Sequence, residues 1–390
     1  MQPPEGQFKY TLTERVIFGP GRISVLSDEL ESRGLKRALI ITGHTLGASP
    51  LLDRVRSAIG PRVAGVFTGA SQHVPSRTVA AATEMARAVS ADCLVSFGGG
   101  SPIDTAKAVA VSLVGGRVQN RIDMGTPRPI ASDPPIPHFA IPTTLSAAEF
   151  TPIGGVTDES TGLKGGVSEP PLVPRVVILD PELTVETPNW LWTSTAIRAL
   201  DHAVETAYSV ARQELTDTLA TRAIRLLRTH LTVSIDPAGA EYLAHRGYCQ
   251  IAAWLSMFGI INARGGPSHA MGHQMGPKWK IPHGVTSCIT LPHVMRFMAG
   301  VAPERFGPIA EGFGIEFDAA NPAPAALLCA ERAAEFIASL GVPTRMRDVG
   351  VPREEIGEII ETVQHEVDNA ATVGRPVTQD ELMAIADAAW

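Results

Sequence analysis

The clearest sign of fold class lies at residues 92–114, DCLVSFGGGSPIDTAKAVAVSLV. The segment opens with an apolar run of strand length, reaches Gly98-Gly99-Gly100, and continues from Ser101 with residues that favour a helix. Upstream lie two further apolar runs and a segment with helical spacing, which are Ala38–Thr42, Val63–Phe67 and Thr78–Ser90. Strands that alternate with helices of this length are typical of a parallel sheet with helices on both faces.

The second half of the chain has a different pattern. Val176–Leu179 is the last clear strand-like run, and it is closed by Asp180-Pro181. Helical patterns then dominate, at Thr193–Val210, Glu214–Leu231, Glu241–Ala263 and Ala325–Leu340. We therefore predict an α/β N-terminal domain with a parallel sheet at residues 1–185 and an all-α C-terminal domain at residues 186–390.

Length and composition limit the class of protein. The chain has 390 residues, so at roughly 150 residues per domain the expectation is two domains. Apolar residues make up 44% and charged residues 19%, which excludes a wholly disordered chain, collagen and a coiled coil. The net charge of -7 gives no basic excess, so we expect no nucleic-acid partner.

Cysteine usage and the N-terminus bear on the compartment. The four cysteines are far apart and form no CxxC pair, so neither a zinc knuckle nor a disulfide framework is predicted. Reduced cysteines and the lack of a signal-peptide pattern favour a cytoplasmic protein. The uncharged stretch at Gly247–Ala263 is too short and too polar for a membrane span, so no membrane partner is expected.

The Gly98-Gly99-Gly100-Ser101 turn lies between a predicted strand and a predicted helix. Glycines allow the backbone to approach a ligand closely, and the following helix N-terminus offers unpaired N–H groups to a phosphate. The spacing is neither that of GxGxxG nor that of a P-loop. The turn is therefore either a phosphate site or a tight strand–helix connection.

Thr143 and Thr144 follow the next predicted strand, after Pro142. Adjacent hydroxyls at such a place bind a ribose or phosphate, or they cap a turn.

Histidines cluster in the predicted helical domain. His269 and His273 are four residues apart and so share one face of a helix, His283 follows after Ile281-Pro282, and His202 lies on an earlier predicted helix. Imidazoles in such a group suit Zn, Fe, Cu or Ni. The residues by themselves leave a ligand or catalytic role and a structural role open.

Together these segments resemble the iron-containing (group III) alcohol dehydrogenase family. The matching segments lie within residues 15–300 and are RVIFGPG (15–21), GGGSPIDTAKA (98–108), IPTT (141–144), ILDPELT (178–184), LDHAVETAYS (200–209), HAMGHQ (269–274), PHG (282–284) and LPH (291–293). The resemblance implies a dinucleotide-binding N-terminal domain, a helical C-terminal domain and an active site in the cleft between them. It further implies reversible hydride transfer between NAD(P)H and a carbonyl or alcohol, in a homodimer or higher homo-oligomer.

Site residues follow from the resemblance position by position. Those implied to bind the cofactor are Gly98, Gly99, Gly100 and Ser101 at the pyrophosphate, Asp104 in the same motif, Thr143 and Thr144 towards the nicotinamide, and Lys164 at the nicotinamide ribose. His202, His269 and His283 match three metal ligands of the family. His273 matches a histidine near the nicotinamide, and it is a candidate for substrate contact or proton relay.

Arg198 is the main departure from the family, which usually has an aspartate there as the fourth metal ligand. A guanidinium cannot ligate a metal, and at ~4 Å from a dication with an effective dielectric of ~20 the repulsion is roughly 8 kcal/mol. Asp201 is a poor substitute, because its position points about 100° away from that of His202 around a helix. Two outcomes are open: Arg198 replaces the cation, or it turns away to Asp201 or Glu205 and leaves a three-histidine metal site. We expect the first.

Gly43 is the second departure. Many family members carry an aspartate after this strand that binds the adenosine 2′-hydroxyl and repels a 2′-phosphate. With Gly43 in its place, both NADH and NADPH are admissible cofactors.

Both departures favour the maleylacetate reductase branch, which is also similar to this chain at HVP (73–75) and PTTLSAAEFTPIGGVT (142–157). By contrast, SPIDTAK (101–107) and HAMGHQ (269–274) look more like the metal-dependent alcohol dehydrogenases.

The predicted function is NAD(P)H-dependent reduction of a small carbonyl compound, a keto acid such as maleylacetate or a semialdehyde, without metal. Arg198 would stabilise the oxyanion and His273 would deliver the proton, with His269 and His202 as further catalytic candidates. The alternative is a conventional Fe- or Zn-dependent alcohol dehydrogenase or aldehyde reductase that uses His202, His269 and His283. Alternatives of other classes are a lyase similar to dehydroquinate synthase and an inactive cofactor-binding remnant.

Overall fold

The computed structural model describes residues 7–115, 119–120, 135–159 and 164–390, with the backbone alone at 119–120 and Lys164. The chain divides into two compact units, Thr11–Glu186 and Thr187–Trp390, and the second unit also takes in the described residues that precede Thr11. The predicted boundary between residues 185 and 186 lies beside this division.

The N-terminal unit is built on parallel strands. Its described strands are β1 (Arg15–Phe18), β2 (Ala38–Gly43), β3 (Val63–Ala70), β4 (Cys93–Gly98), β5 (Gln119–Asn120), β6 (His138–Pro142), β7 (Ile153–Thr157), β8 (Lys164–Ser168) and β9 (Val176–Leu179). Six of them form one parallel sheet in the order β1-β9-β6-β4-β2-β3, which confirms the predicted fold class. The strands predicted from apolar runs are present with shifted ends.

Helices cover both faces of this sheet because its strands are apolar on both sides. Neighbouring residues of β2 enter different cores: Ile40 belongs to one cluster of buried side chains and Leu39 to another. A continuous apolar run of this kind is typical of a strand buried on both faces. The covering helices are α1 (Leu26–Glu31), α2 (His44–Gly47), α3 (Pro50–Ile59), α4 (Ser76–Ala88) and α5 (Gly100–Leu113).

A small antiparallel sheet has the order β5-β8-β7. Thr157 pairs with Lys164 at the end of the β7–β8 ladder. Glycines and prolines dominate this part of the sequence, so the strand pattern is weak there.

The described part of the C-terminal unit contains helices and no strands. They are α6 (Asn189–Tyr208), α7 (Glu214–His230), α8 (Tyr242–Ala263), α9 (Pro267–Trp279), α10 (His283–Val301), α11 (Gly307–Phe313), α12 (Ala323–Ala338), α13 (Gly357–Ala370) and α14 (Gln379–Ala389). Helix α6 is central, since nearly every side chain from Trp192 to Tyr208 is buried, and α7, α8 and α10 pack around it. Its polar residues are therefore held inside the helical unit.

Close helix packing at two glycines positions the polar residues of α6, α9 and α10. A Cβ at Gly284, near the start of α10, would lie 2.6 Å from the Ser194 carbonyl of α6. A Cβ at Gly272 of α9 would lie 2.7 Å from Thr286 Oγ1 of α10. Both approaches need a residue without a side chain.

Two sequence expectations concern the cysteines and the membrane. Cys93, Cys249, Cys288 and Cys329 are all free and buried. Among the residues that the structure describes, no helix is long and apolar enough to cross a bilayer.

Candidate active site

The glycine turn after β4 leaves no room for side chains. Gly98 has φ +142°, and a Cβ there would lie 2.8 Å from Pro102 Cγ. A Cβ at Gly99 would lie 3.0 Å from Thr144 Cγ2, while Gly99 precedes α5 and no side chain caps that helix. Backbone N–H groups at an uncapped helix start are suited to a phosphate. These residues fit a cofactor pyrophosphate, with Ser101 in the first turn of α5.

Two neighbouring strand ends bring further predicted residues to the same edge of the sheet. Gly98 pairs with Pro142 at the end of β6, and Thr143 N donates to Gly98 O at 2.9 Å. On the other side β2 ends at Gly43, where a Cβ would lie 3.2 Å from Ala70 O. The carboxyl edge of a parallel sheet is where such folds bind nucleotides.

Asp104, which the sequence places in the cofactor motif, also contacts other residues of the N-terminal unit. Its Oδ2 accepts from Gly155 N at 3.1 Å, and its Oδ1 lies 3.5 Å from Lys107 Nζ. The fully buried Lys107 also donates to Ala148 O and Ile153 O, each at 2.7 Å. Nearby, burial raises the pKa of Glu149 to about 7. The predicted contact between Lys164 and the cofactor involves its side chain, which lies outside the described part of the structure.

Arg198 is mostly buried on α6 within the helical unit. Its Nη1 donates to Ser287 Oγ at 3.1 Å and to Asp201 Oδ2 at 3.4 Å. Asp201 Oδ2 also accepts from Ser287 Oγ at 2.6 Å and from Ser268 Oγ at 3.0 Å. The pairing with Asp201 that we gave as an alternative is thus present, and residues of α6, α9 and α10 hold the guanidinium in place.

Glu205 orients His269. Its Oε2 accepts from His269 Nδ1 at 2.6 Å and from Gly266 N at 2.5 Å, and its Oε1 accepts from Ser268 N at 2.8 Å and Tyr208 Oη at 2.5 Å. A carboxylate at Nδ1 favours the tautomer with its proton there, which leaves Nε2 as an acceptor.

His202 and His269 have lowered pKa values, which keep both imidazoles neutral. Burial and the charge of Arg198 lower the pKa of His269 to about 3. Burial, together with the neighbouring His269 and the charge of Arg198, holds the pKa of His202 well below its usual value. The two rings lie 5.0 Å apart between centroids. The guanidinium stays beside the histidine cluster when it pairs with Asp201, because Asp201 Oδ2 also lies 3.7 Å from His269 Nδ1.

His273 and His283 complete the predicted group. Their ring centroids are 5.7 Å apart, and that of His273 is 6.2 Å from that of His269. His273 Nδ1 donates a hydrogen bond to Glu366 Oε1. The other carboxylate oxygen of Glu366, Oε2, accepts from Gln274 Nε2 at 3.1 Å. The four predicted histidines thus form a continuous chain of neighbouring rings.

This donor set combines features against and for a divalent metal. His202 and His269 are neutral ligands beside a fixed cation, and the residue in place of the family aspartate is Arg198 itself. Asp201, Glu205 and His269 offer ligand atoms within 4.8 Å of one another, but the hydrogen bonds above already engage Asp201 Oδ2 and both oxygens of Glu205. Asp201 Oδ1, however, is buried without a hydrogen-bond partner among the described residues, so one carboxylate oxygen stays available to a cation.

The sequence named Asp201 and Glu205 only as possible partners of Arg198, and it did not identify Ser287 or Glu366. Arg198, Asp201 and Glu205 are spaced by three and four residues, which places them on one face of α6, and this signal could have identified both carboxylates. Asp201, which we expected to be a poor substitute for the missing aspartate, has its Oδ2 3.7 Å from His269 Nδ1. Ser287 and Glu366 carry no local signal.

Known proteins are similar to this chain over its full length. The profile of the iron-containing alcohol dehydrogenase family matches residues 13–181, and that of the C-terminal domain of the Fe-containing alcohol dehydrogenase family matches residues 192–390. Lactaldehyde reductase of Escherichia coli is 30% identical over 97% of this chain and 98% of its own. Maleylacetate reductase of Burkholderia cepacia is 30% identical over 96% of this chain and 95% of its own. The solved structure of maleylacetate reductase from Agrobacterium tumefaciens has a TM-score of 0.80 at 27% identity, and the match covers 100% of this chain and 99% of that one.

These similarities confirm the predicted family and decide between the classes of activity left open above. Relatives that are reductases and dehydrogenases favour hydride transfer over a lyase reaction. The chain belongs to the iron-containing alcohol dehydrogenase family, in its maleylacetate reductase-like branch, and is an NAD(P)-dependent oxidoreductase acting on alcohol and carbonyl groups.

Proposed function

We propose that this enzyme reduces a small carbonyl compound without a metal ion, and that the Arg198 guanidinium supplies the positive charge at the reacting oxygen. The observation that carries the proposal is the buried Arg198, held by Ser287 and Asp201 beside neutral imidazoles. A fixed cation in a site with little water interacts strongly with developing negative charge.

A keto acid such as maleylacetate, or a semialdehyde, is the proposed substrate. Maleylacetate reductases are among the relatives. The planar guanidinium has donors beyond those used for Ser287 and Asp201, and it matches carboxylate and carbonyl oxygens in geometry. Its side chain retains 11% exposure, so a small substrate can reach it.

The chemistry divides between the two ends of the carbonyl bond. The residues of the glycine turn would hold NADH or NADPH, which would supply the hydride for the carbonyl carbon. Arg198 N–H groups stabilise the oxygen as it gains negative charge, and His273 gives it a proton. His202 and His269 stay neutral, and His269 Nε2, as an acceptor, can bond the hydroxyl of the alcohol product.

Both nicotinamide cofactors are proposed to bind. Gly43 ends β2 at the carboxyl edge of the sheet, beside the end of β4, and it carries no carboxylate that would repel a 2′-phosphate. NADPH therefore meets no charge repulsion at this position.

The test is elemental analysis of protein purified without chelator or added metal. It is followed by NADH and NADPH oxidation with maleylacetate and a panel of aldehydes, before and after chelation. Substoichiometric metal with chelator-resistant turnover supports the proposal. Stoichiometric Fe or Zn with chelator-sensitive turnover overturns it in favour of a metal-dependent alcohol dehydrogenase, and the lack of turnover on every carbonyl in the panel would leave an inactive remnant.

A further inference from the structure

Glu366 lies on α13, far in sequence from the histidines, yet it contacts two consecutive residues of α9. Its Oε1 accepts from His273 Nδ1, and its Oε2 accepts from Gln274 Nε2 at 3.1 Å. The two bonds fix the plane of the carboxylate against the imidazole. A contact of this kind with both oxygens engaged is more specific than a single exposed ion pair.

We propose that Glu366 is the positioning residue for proton transfer by His273. Its carboxylate holds one proton on Nδ1, so that Nε2 is the nitrogen that exchanges a proton with the substrate oxygen. The inference rests on the proposed function, since it needs His273 to be the proton donor.

The proton balance follows from this arrangement. In the reduction, the Nε2–H bond breaks as the alcohol O–H bond forms, and the imidazolium becomes a neutral imidazole that keeps Nδ1–H on Glu366. Solvent then returns a proton to Nε2. The carboxylate stabilises the imidazolium and fixes the tautomer that remains after transfer.

The charge of Glu366 also reaches the neighbouring groups of the site. Burial lowers the pKa of Arg198, and carboxylate charges, that of Glu366 among them, act against this effect. Glu366 therefore interacts electrostatically with Arg198, the cation that would hold the carbonyl oxygen.

The chain offers a matched control on the same pair of helices. Glu358, also on α13, forms an ion pair with Lys278 of α9 at 2.6 Å, and its side chain is 60% exposed. Substitution of Glu358 removes a tether between α9 and α13 without touching His273. Any loss that comes only from a looser α13 should appear in both variants.

The experiment compares Glu366→Ala, Glu366→Gln and Glu358→Ala in the full-length enzyme. We expect Glu366→Ala to lower kcat for carbonyl reduction about 100-fold, the size of a general-acid contribution, with KM for the carbonyl within about threefold. Its solvent isotope effect on kcat should rise, because proton transfer becomes slower than the other steps. Glu366→Gln keeps an acceptor for Nδ1 and should lose less, while Glu358→Ala should match the wild type.

Added acetate gives the sharpest readout. The Glu366 side chain is 29% exposed, so acetate can enter the space left in Glu366→Ala and should restore part of kcat in a saturable way. A Glu366→Ala enzyme with wild-type kcat overturns the inference, and so does a loss of kcat with neither a larger isotope effect nor rescue by acetate. In both cases the wild-type reduction, and with it the proposed function, would stand.

Discussion

Arg198→Met tests whether the guanidinium acts on the substrate or only balances Asp201. Arg198 Nη1 lies 3.4 Å from Asp201 Oδ2. Breaking a buried pair from one side costs about 3–5 kcal/mol of stability. The low end applies, since Ser268 and Ser287 still donate to the Asp201 carboxylate. Loss of the cation at the reacting oxygen should lower kcat about 10²–10³-fold, the cost of one missing oxyanion donor.

The double variant Arg198→Met/Asp201→Asn separates the two effects. It removes both charges, so the melting temperature should return towards that of the wild type while kcat for carbonyl reduction stays low. The assay is steady-state NADPH oxidation with maleylacetate, together with thermal unfolding of the same preparations. If the double variant recovers wild-type kcat, Arg198 is only a counter-ion and the proposed role is refuted.

Three further outcomes are expected in the N-terminal unit. Gly99→Val should weaken NADPH binding by about 10-fold or more because the valine side chain fills the space for the phosphate. As a control, Gly357→Ala places a methyl group in open space and should leave NADPH binding unchanged. Fluorescence titration measures the NADPH affinity of both variants. Gly43→Asp should lower kcat/KM for NADPH by about 10-fold more than for NADH, and an unchanged cofactor ratio would contradict this role for Gly43. Burial raises the pKa of Glu149 to about 7, so the folded state loses stability as pH rises from about 4.5 to 7; Glu149→Gln should therefore show a smaller fall in melting temperature between about pH 5 and 8, and an equal fall would show that Glu149 ionises normally.

Local patterns of apolar residues explain why much of the fold was predictable. The apolar runs at β2, β4 and β9 are buried on both faces of the sheet. A strand in that environment consists almost entirely of apolar residues. The small sheet of β5, β7 and β8 is harder to predict because its pairing joins short glycine-rich segments. Such segments carry no apolar alternation.

By itself the sequence determined the α/β and helical units, the family, the glycine turn and the presence of Arg198 where an aspartate is usual. These depend on residue types at fixed short spacings, which the chain displays directly. Only the tertiary structure decided that Ser287 holds Arg198 and that Glu366 holds His273, across 89 and 93 residues of sequence. Contacts at such separations arise when whole helices pack, and the side chains that meet there obey no local pattern.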